Sequence, residues 1–369
     1  MGSIRYEELD VIRVLASWLR CVLHTLVPFM VYKSGMWPIN YNNGTNLLPD
    51  LIVVTIHSFI MEAFFIIAGI ICVIELSRKG QKDYIKNRLR KIVLPFMIGI
   101  LVVVPFIIFL FGIGSDLMAD SFYWQYRNWF LEAWANWNSR LVLLGHLWFL
   151  YYLLFYYIIV LGTYYNVPVL IKKLKEISIT GWIMVLPILC LCYYFSPVWY
   201  IINPLTSKIE WPSFLYYLIW FLFGVYFSSH LNTYKWLSGK WLWAFVTFLT
   251  ISLLNASLQP FFLHPHSTYQ GYIRYTVIGL SVAQTISGIV MVYSLSLKWR
   301  SVAETPWFKR QVQSAYWIYL AHTPIVMIMH LLLFPLEWPL IIKFIVILPL
   351  SIILASQTYW KLGKRLLGK

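Results

Sequence analysis

The feature that most constrains this chain is a mostly apolar run of about 20 residues that recurs from one end to the other. Such runs fall near 9–32, 51–76, 92–114, 143–165, 180–196, 213–229, 240–258, 272–297, 312–334 and 339–360. A helix needs roughly 20 apolar residues to cross a hydrocarbon core of ~30 Å, so the pattern predicts about ten transmembrane helices. Only 12% of the residues are charged, against about 25% in soluble domains, which is too little to solvate a globular surface. The expected fold class is an all-α polytopic membrane protein, with residues 1–369 forming a single integral-membrane domain. The first run is not read as a signal peptide, because it carries Asp10, Arg13, Arg20 and His24 and no small-residue cleavage pattern follows it.

Orientation follows from the bias of Lys and Arg toward cytoplasmic segments. Of the 29 Lys and Arg, Arg13, Arg20, Arg274 and Lys343 lie within spans. With the N-terminus inside, only Lys33, Arg127, Arg140 and Lys208 fall in outer segments. The other twenty-one, from Arg5 and the Arg78-to-Lys91 group to Lys369, fall in inner ones. Both termini are therefore expected in the cytoplasm. The same bias accounts for the net charge of +15 without a nucleic-acid partner. Cys21, Cys72, Cys190 and Cys192 all sit in apolar runs, where cysteine acts as a small hydrophobe rather than as part of a disulfide or metal set. No internal repeat of the kind that builds many transporters is present, and the pattern specifies no oligomeric state.

Ionisable residues at membrane depth are costly and by default mark function. Asp10, Arg13, Ser17, Arg20 and His24 are spaced 3, 4, 3 and 4, which draws one polar stripe along a helix of 3.6 residues per turn. Arg13 and His24 are about 16 Å apart along the axis, so Arg13 is expected near the cytoplasmic side and His24 in the outer half. The second helix returns inward with His57 and, deeper, Glu62, and the fourth opens on Gly145-His146-Leu147-Trp148. His24, His57 and His146 should lie at one level on three helices, and His322 of the ninth is expected to reach the same cavity. Converging imidazoles are what general-base chemistry needs.

Blander readings exist for each group. A single buried histidine is commonly a hydrogen-bonded packing residue, Arg20 has Glu62 as a prospective partner, and Lys343 is placed to reach the outer interface. His264 and His266, in an outer loop, are read as solvated, and Asn43-Gly-Thr45 is an outer sequon. A metal site would need bonding geometry and usually an acidic partner, and no H-x-x-x-H or H-E-x-x-H occurs on one helix. No glycine-rich phosphate loop and no G-x-S-x-G turn occurs either. Buried charges in a ten-helix bundle also suit a transporter or flippase of a small anionic or glycan-type substrate. A membrane interaction protein without chemistry leaves the polar stripe unexplained.

Leu9-Asp10-x-x-Arg13 followed by His24 resembles the opening signature of the membrane acyltransferase 3 family. Four further stretches agree in order: His57-Ser58-Phe59 with Phe64-to-Gly69; Asn87-Arg88-Leu89-Arg90-Lys91-Ile92 before Pro95; His146-to-Leu150; and Ile318-to-Pro324. The first and third of these four look most like the branch that succinylates periplasmic glucans. Ala68 stands where many members carry Ser, and Glu62 where that branch tends to have an amide.

The resemblance implies a multi-pass enzyme of a bacterial inner membrane, with the lipid bilayer as its setting. It takes an acyl group, acetyl or succinyl, from cytoplasmic acyl-CoA to a hydroxyl of a periplasmic or extracellular glycan, with no metal. His24 then takes the acceptor proton or carries the acyl group transiently. Asp10, Arg13, His57, Glu62, His146 and His322 complete the expected catalytic set. Arg13, Arg88, Arg90 and Lys91, together with Tyr319, are placed on the donor side, where the cations suit the phosphates of CoA. A continuous cavity bounded by the first, second, fourth and ninth helices, basic inside and His-lined outside, is expected to join the two.

Overall fold

The computed structural model describes residues 6–32, 37–41, 47–118, 143–196, 200–201, 203–263 and 270–366. His264, His266, the sequon, Arg5, Lys33, Arg127, Arg140 and Lys369 lie outside the described residues. The described residues are mainly helical: α1 (Glu7–Phe29), α2 (Leu48–Arg78), α3 (Gln81–Ser115), α4 (Gly145–Asn166), α5 (Pro168–Glu176), α6 (Ile179–Tyr194), α7 (Trp211–Phe227), α8 (Lys235–Leu258), α9 (Gly271–Lys298), α10 (Pro306–Leu333) and α11 (Leu340–Leu366). Large apolar side chains such as Leu101, Phe109, Ile158, Trp243 and Ile345 stay exposed around the bundle. That surface suits hydrocarbon, not water.

Eight of these helices are long and apolar enough to cross a membrane, and nine if the bent pair α5–α6 is one span. This departs from ten in two places. The fifth apolar run is α6, which meets α5 at 98°. The two are separated by Ile177 and Ser178, whose side chain caps α6 by accepting from the Gly181 amide. The sixth run is α7, 17 residues or about 26 Å long, short of a ~30 Å core. It need not meet lipid along its length, because Tyr216, Tyr217, Phe221, Val225 and Tyr226 are all fully buried.

Two devices shape the interior. Within α3, π-helical turns at Leu89–Val93 and Gly99–Val103 each come just before a proline, Pro95 or Pro105. A proline ring clashes with the carbonyl four residues back, and a widened turn relieves that clash. The kinked α3 then lays Val104, Ile107, Ile108 and Phe111 along the wall of a central cavity.

The second device is the contact between α2 and α7, where glycine brings backbone against backbone. A Cβ on Gly69 would lie 2.1 Å from the Phe221 carbonyl oxygen, and one on Gly224 would lie 2.1 Å from that of Ile66. Small residues allow this close packing where the hydrophobic effect gives no drive between helices. Gly224→Ala is expected to destabilise the bundle by about 1–3 kcal/mol, because backbone has to shift. Thermal unfolding in detergent checks it, with Gly162→Ala, where an added Cβ meets nothing within 4 Å, as the matched control.

Candidate active site

The α1 stripe faces the bundle interior, but its members do different things. Asp10 pairs with Arg13 at 3.1 Å near the start of the helix. Ser17 hydrogen-bonds to the Arg13 carbonyl at 2.8 Å and to the Ala315 carbonyl of α10 at 3.1 Å, which ties the two helices together. Arg20 and His24 continue the same face into a cavity of about 1140 Å³.

His57, His146, Trp148, Tyr200 and Asn203 also line this cavity, among mostly apolar side chains. At its mouth Asp50 accepts from the amides of Val31 and Tyr32, both at 2.9 Å, joining the start of α2 to the segment after α1. His322 is fully buried directly behind the lining, with its ring 5.0 Å from His24 and 5.6 Å from His146. Its neighbour Thr323 lines the cavity.

Proline chemistry explains how His146 is held. Pro324 has no N–H, so the carbonyl of Leu320, four residues earlier, lacks its helical donor. His146 Nε2 fills that role at 3.1 Å, and the Tyr319 hydroxyl donates to the His146 carbonyl at 2.6 Å. Gly145, at φ 51°, makes the left-handed turn that aims His146, and the Leu144 amide donates to the Leu205 carbonyl at 2.7 Å.

Because a carbonyl only accepts, Nε2 of His146 carries the proton and its buried, unpartnered Nδ1 is the lone-pair nitrogen. The same logic gives His322 a protonated Nδ1, bonded to the Tyr319 carbonyl at 2.8 Å, with Nε2 3.3 Å from the Thr323 hydroxyl. His57 Nε2 sits 3.2 Å from the Asn203 amide nitrogen, and the Tyr217 hydroxyl donates to Asn203 Oδ1 at 3.2 Å. That order makes Nε2 of His57 the acceptor. His24 differs from the other three. Its ring stacks on Trp37 at 5.4 Å and its Nδ1 is buried without a partner.

Of the other residues singled out in the sequence, Glu62 lies in an adjoining chamber of about 20 Å³ shared with His57, Asn255 and Gln284. One carboxylate oxygen of Glu62 accepts from Tyr216 at 2.9 Å. Tyr319 lies beneath Arg20, whose guanidinium carbon is 5.5 Å from the ring centre. Asp10, Arg13, Arg88, Arg90 and Lys91 do not line the cavity, whose lining stops at Arg20 and Met61. The Arg20 side chain, against Met61 and Tyr319, occupies the space where a continuous passage was expected. Arg88 pairs with Glu75, bonds the Tyr157 hydroxyl at 3.2 Å and stacks over Tyr84, whereas Arg90 and Lys91 are exposed. Lys343 does not reach an interface. It is 2% exposed, with Nζ 3.8 Å from the centre of the Tyr41 ring.

The model of the acyltransferase 3 family, described as an acyltransferase domain, matches residues 6–360. The chain belongs to that family. The match takes in α1 to α10, most of α11 and each histidine of the cavity, so this acyltransferase has its imidazole cluster inside the family domain. No curated protein and no solved structure matches the chain. Among the described residues of this acyltransferase, no group of three or more His, Cys, Asp or Glu has metal-holding geometry.

Sequence reasoning passed over Trp37, Tyr200 and Asn203, which come from segments between helices where no periodicity marks a face. It placed Arg20 in the stripe and beside Glu62, not in the cavity wall. The signal was there, since Arg20 lies one turn from His24 on the same side.

Proposed function

We propose that this membrane acyltransferase moves an acyl group from acyl-CoA on the cytoplasmic side to a hydroxyl of a glycan on the far side, with His24 as the general base. The observation that carries the reading is His24 itself, a cavity-lining imidazole with no backbone hydrogen bond, grouped with His57 and His146 in one pocket and backed by His322, whose ring is 5.0 Å away. The acceptor oxygen attacks the thioester carbonyl, the C–S bond breaks, His24 takes the hydroxyl proton and the CoA sulfur leaves as the thiol once it receives a proton. An acyl-imidazole on His24 followed by transfer is the two-step form of the same reaction.

His146, held with Nδ1 free, and His57, held with Nε2 accepting, are in position to orient the acceptor hydroxyl. On the donor side, Arg90 and Lys91 are exposed at the start of α3, where CoA phosphates would approach. The test is release of free CoA by the purified protein, with mass spectrometry of surface and periplasmic glycans from cells with and without the gene. A solute moved across vesicles with no CoA released would place the protein with transporters.

The proposed orientation has its own check. In a cysteine-free background, a cysteine at Ser238 is expected to be shielded from an impermeant thiol reagent applied outside. One at Ser267, outside the described residues, is expected to label. The opposite pattern moves the His-lined mouth to the cytoplasmic side.

A further inference from the structure

The central cavity takes part of its wall from α8, the span that the rest of the bundle covers least. Leu242, Val246, Leu249 and Leu253 of α8 are spaced 4, 3 and 4 and are all exposed, so one stripe of this helix faces hydrocarbon. Three and four residues further on, the same stripe reaches Ala256 and Ser257. Leu253, Ala256 and Ser257 all line the cavity. The lipid-facing stripe of α8 therefore continues directly into the cavity wall. Leu253 stands thirteen residues beyond Lys240, about 20 Å along the helix. With Lys240 at one edge of a ~30 Å core, Leu253 is still inside hydrocarbon. The cavity opens sideways at membrane depth.

The chemistry of the opening suits a hydrocarbon chain. Besides Leu253 and Ser257, the exposed members of the lining are Val31, Tyr32, Leu47 and Leu48, a rim that is mostly apolar. Val53, Ile60, Val104 and Ile107 give the interior aliphatic walls. Sugar hydroxyls lose hydrogen bonds against such walls, whereas an alkyl chain passes from the bilayer to them with little change of surroundings. The lining ends at Arg20 and Met61, and Arg20 lies on the cytoplasmic side of His24 in the orientation proposed above. The donor comes from that side, which leaves the lateral opening to the acceptor.

We propose that the acceptor is an amphiphile, a glycan carried on a hydrocarbon chain, which enters from the bilayer past Leu253 and brings its hydroxyl to His24 while the chain stays against α8. The proposal rests on the acyl-transfer reading above and replaces a free, water-soluble glycan by a membrane-anchored one. The bonds exchanged are the same: the acceptor oxygen forms the ester, the C–S bond breaks and CoA leaves as the thiol.

The experiment supplies purified protein in nanodiscs with acetyl-CoA or succinyl-CoA labelled in the acyl group. Acceptors are the glycolipid extract of cells lacking the gene, incorporated in the nanodisc, or the water-soluble glycans of the same cells. Label is expected to enter the glycolipid faster by on the order of tenfold or more. Leu253→Trp, at an exposed position, is expected to cut that transfer by a similar factor with its melting temperature unchanged. Leu254→Trp, at a residue 53% exposed but outside the lining, is expected to transfer like wild type. Label entering chiefly the soluble glycans, or wild-type transfer to glycolipid by Leu253→Trp, keeps the transfer reading and overturns the proposal. A Leu253→Trp protein that loses octanoyl-CoA relative to acetyl-CoA while using glycolipid normally also overturns it, and assigns the opening to the donor's acyl chain. Binding is read without donor, by irradiating nanodiscs that hold a glycosyl-diacylglycerol with a diazirine on its chain. Marking is expected at the buried wall residues Val53 and Ile107, 7% and 8% exposed, and is expected to be lost in Leu253→Trp. That marking without CoA release from any donor keeps the lipid entrance and removes the transfer reading, whereas no marking of the wall overturns the proposal.

Discussion

Replacing His24 by alanine is expected to lower acyl transfer by 10²–10⁴-fold, on the order typical for loss of a general base, and to leave the fold close to intact. The two halves of that expectation come from the same geometry. His146 and His322 are each tied to a helix carbonyl, at 3.1 and 2.8 Å, so changing either removes a structural bond together with any chemistry. His24 is stacked on Trp37 with no such bond, and the space left by its ring opens onto an existing cavity. Little packing is lost. Acyl-CoA-dependent thiol release and the melting temperature of the detergent-solubilised variant are the two measurements. Transfer above about a tenth of wild type, with the protein folded, would take the base role from His24 and pass it to His146, whose Nδ1 is likewise buried without a partner.

The stripe on α1 shows how far a sequence carries such an argument. Spacings of 3 and 4 fix a face of a helix, and that face does point inward, with Asp10, Ser17 and Arg20 all buried. Periodicity carries no information about which neighbour meets each turn. One turn became a local ion pair, one a bond to α10, and only the last two reached the cavity.

The ninth apolar run gives the complementary case. His322-Thr323-Pro324 is visible in the sequence, but the carbonyl that Pro324 frees acquires meaning only because the start of α4 lies against it and delivers His146. Spans were legible wherever length and apolarity coincide. They were less so at α5–α6 and α7, since hydropathy alone measures neither the angle between two segments nor shielding by neighbouring helices.

Arg88 separates two readings by the largest expected change in stability. Counted along the sequence it is one of a basic cluster, equivalent to Arg90 and Lys91 as a phosphate ligand. In the fold it is paired with Glu75, hydrogen-bonded to Tyr157 and stacked on Tyr84 and Tyr157, while Asn87 donates to the same carboxylate at 2.6 Å. Removing one partner of a buried pair typically costs about 3–5 kcal/mol, because the other charge is left without its counter-ion. Here the side chains of Arg88 and Glu75 are 11% and 20% exposed, which points to the lower part of that range. Arg88→Ala is therefore expected to melt well below wild type, and adding Glu75→Ala to recover part of the loss. Arg90→Ala, at an exposed position, should shift stability by no more than about 0.5 kcal/mol and show its effect in KM for the thioester. The decisive comparison is melting temperature against donor KM across the three variants. An Arg88→Ala protein that melts like wild type but needs tenfold more donor would return Arg88 to the role of phosphate ligand. It would also mean that the Glu75 pair exchanges for CoA when the donor binds.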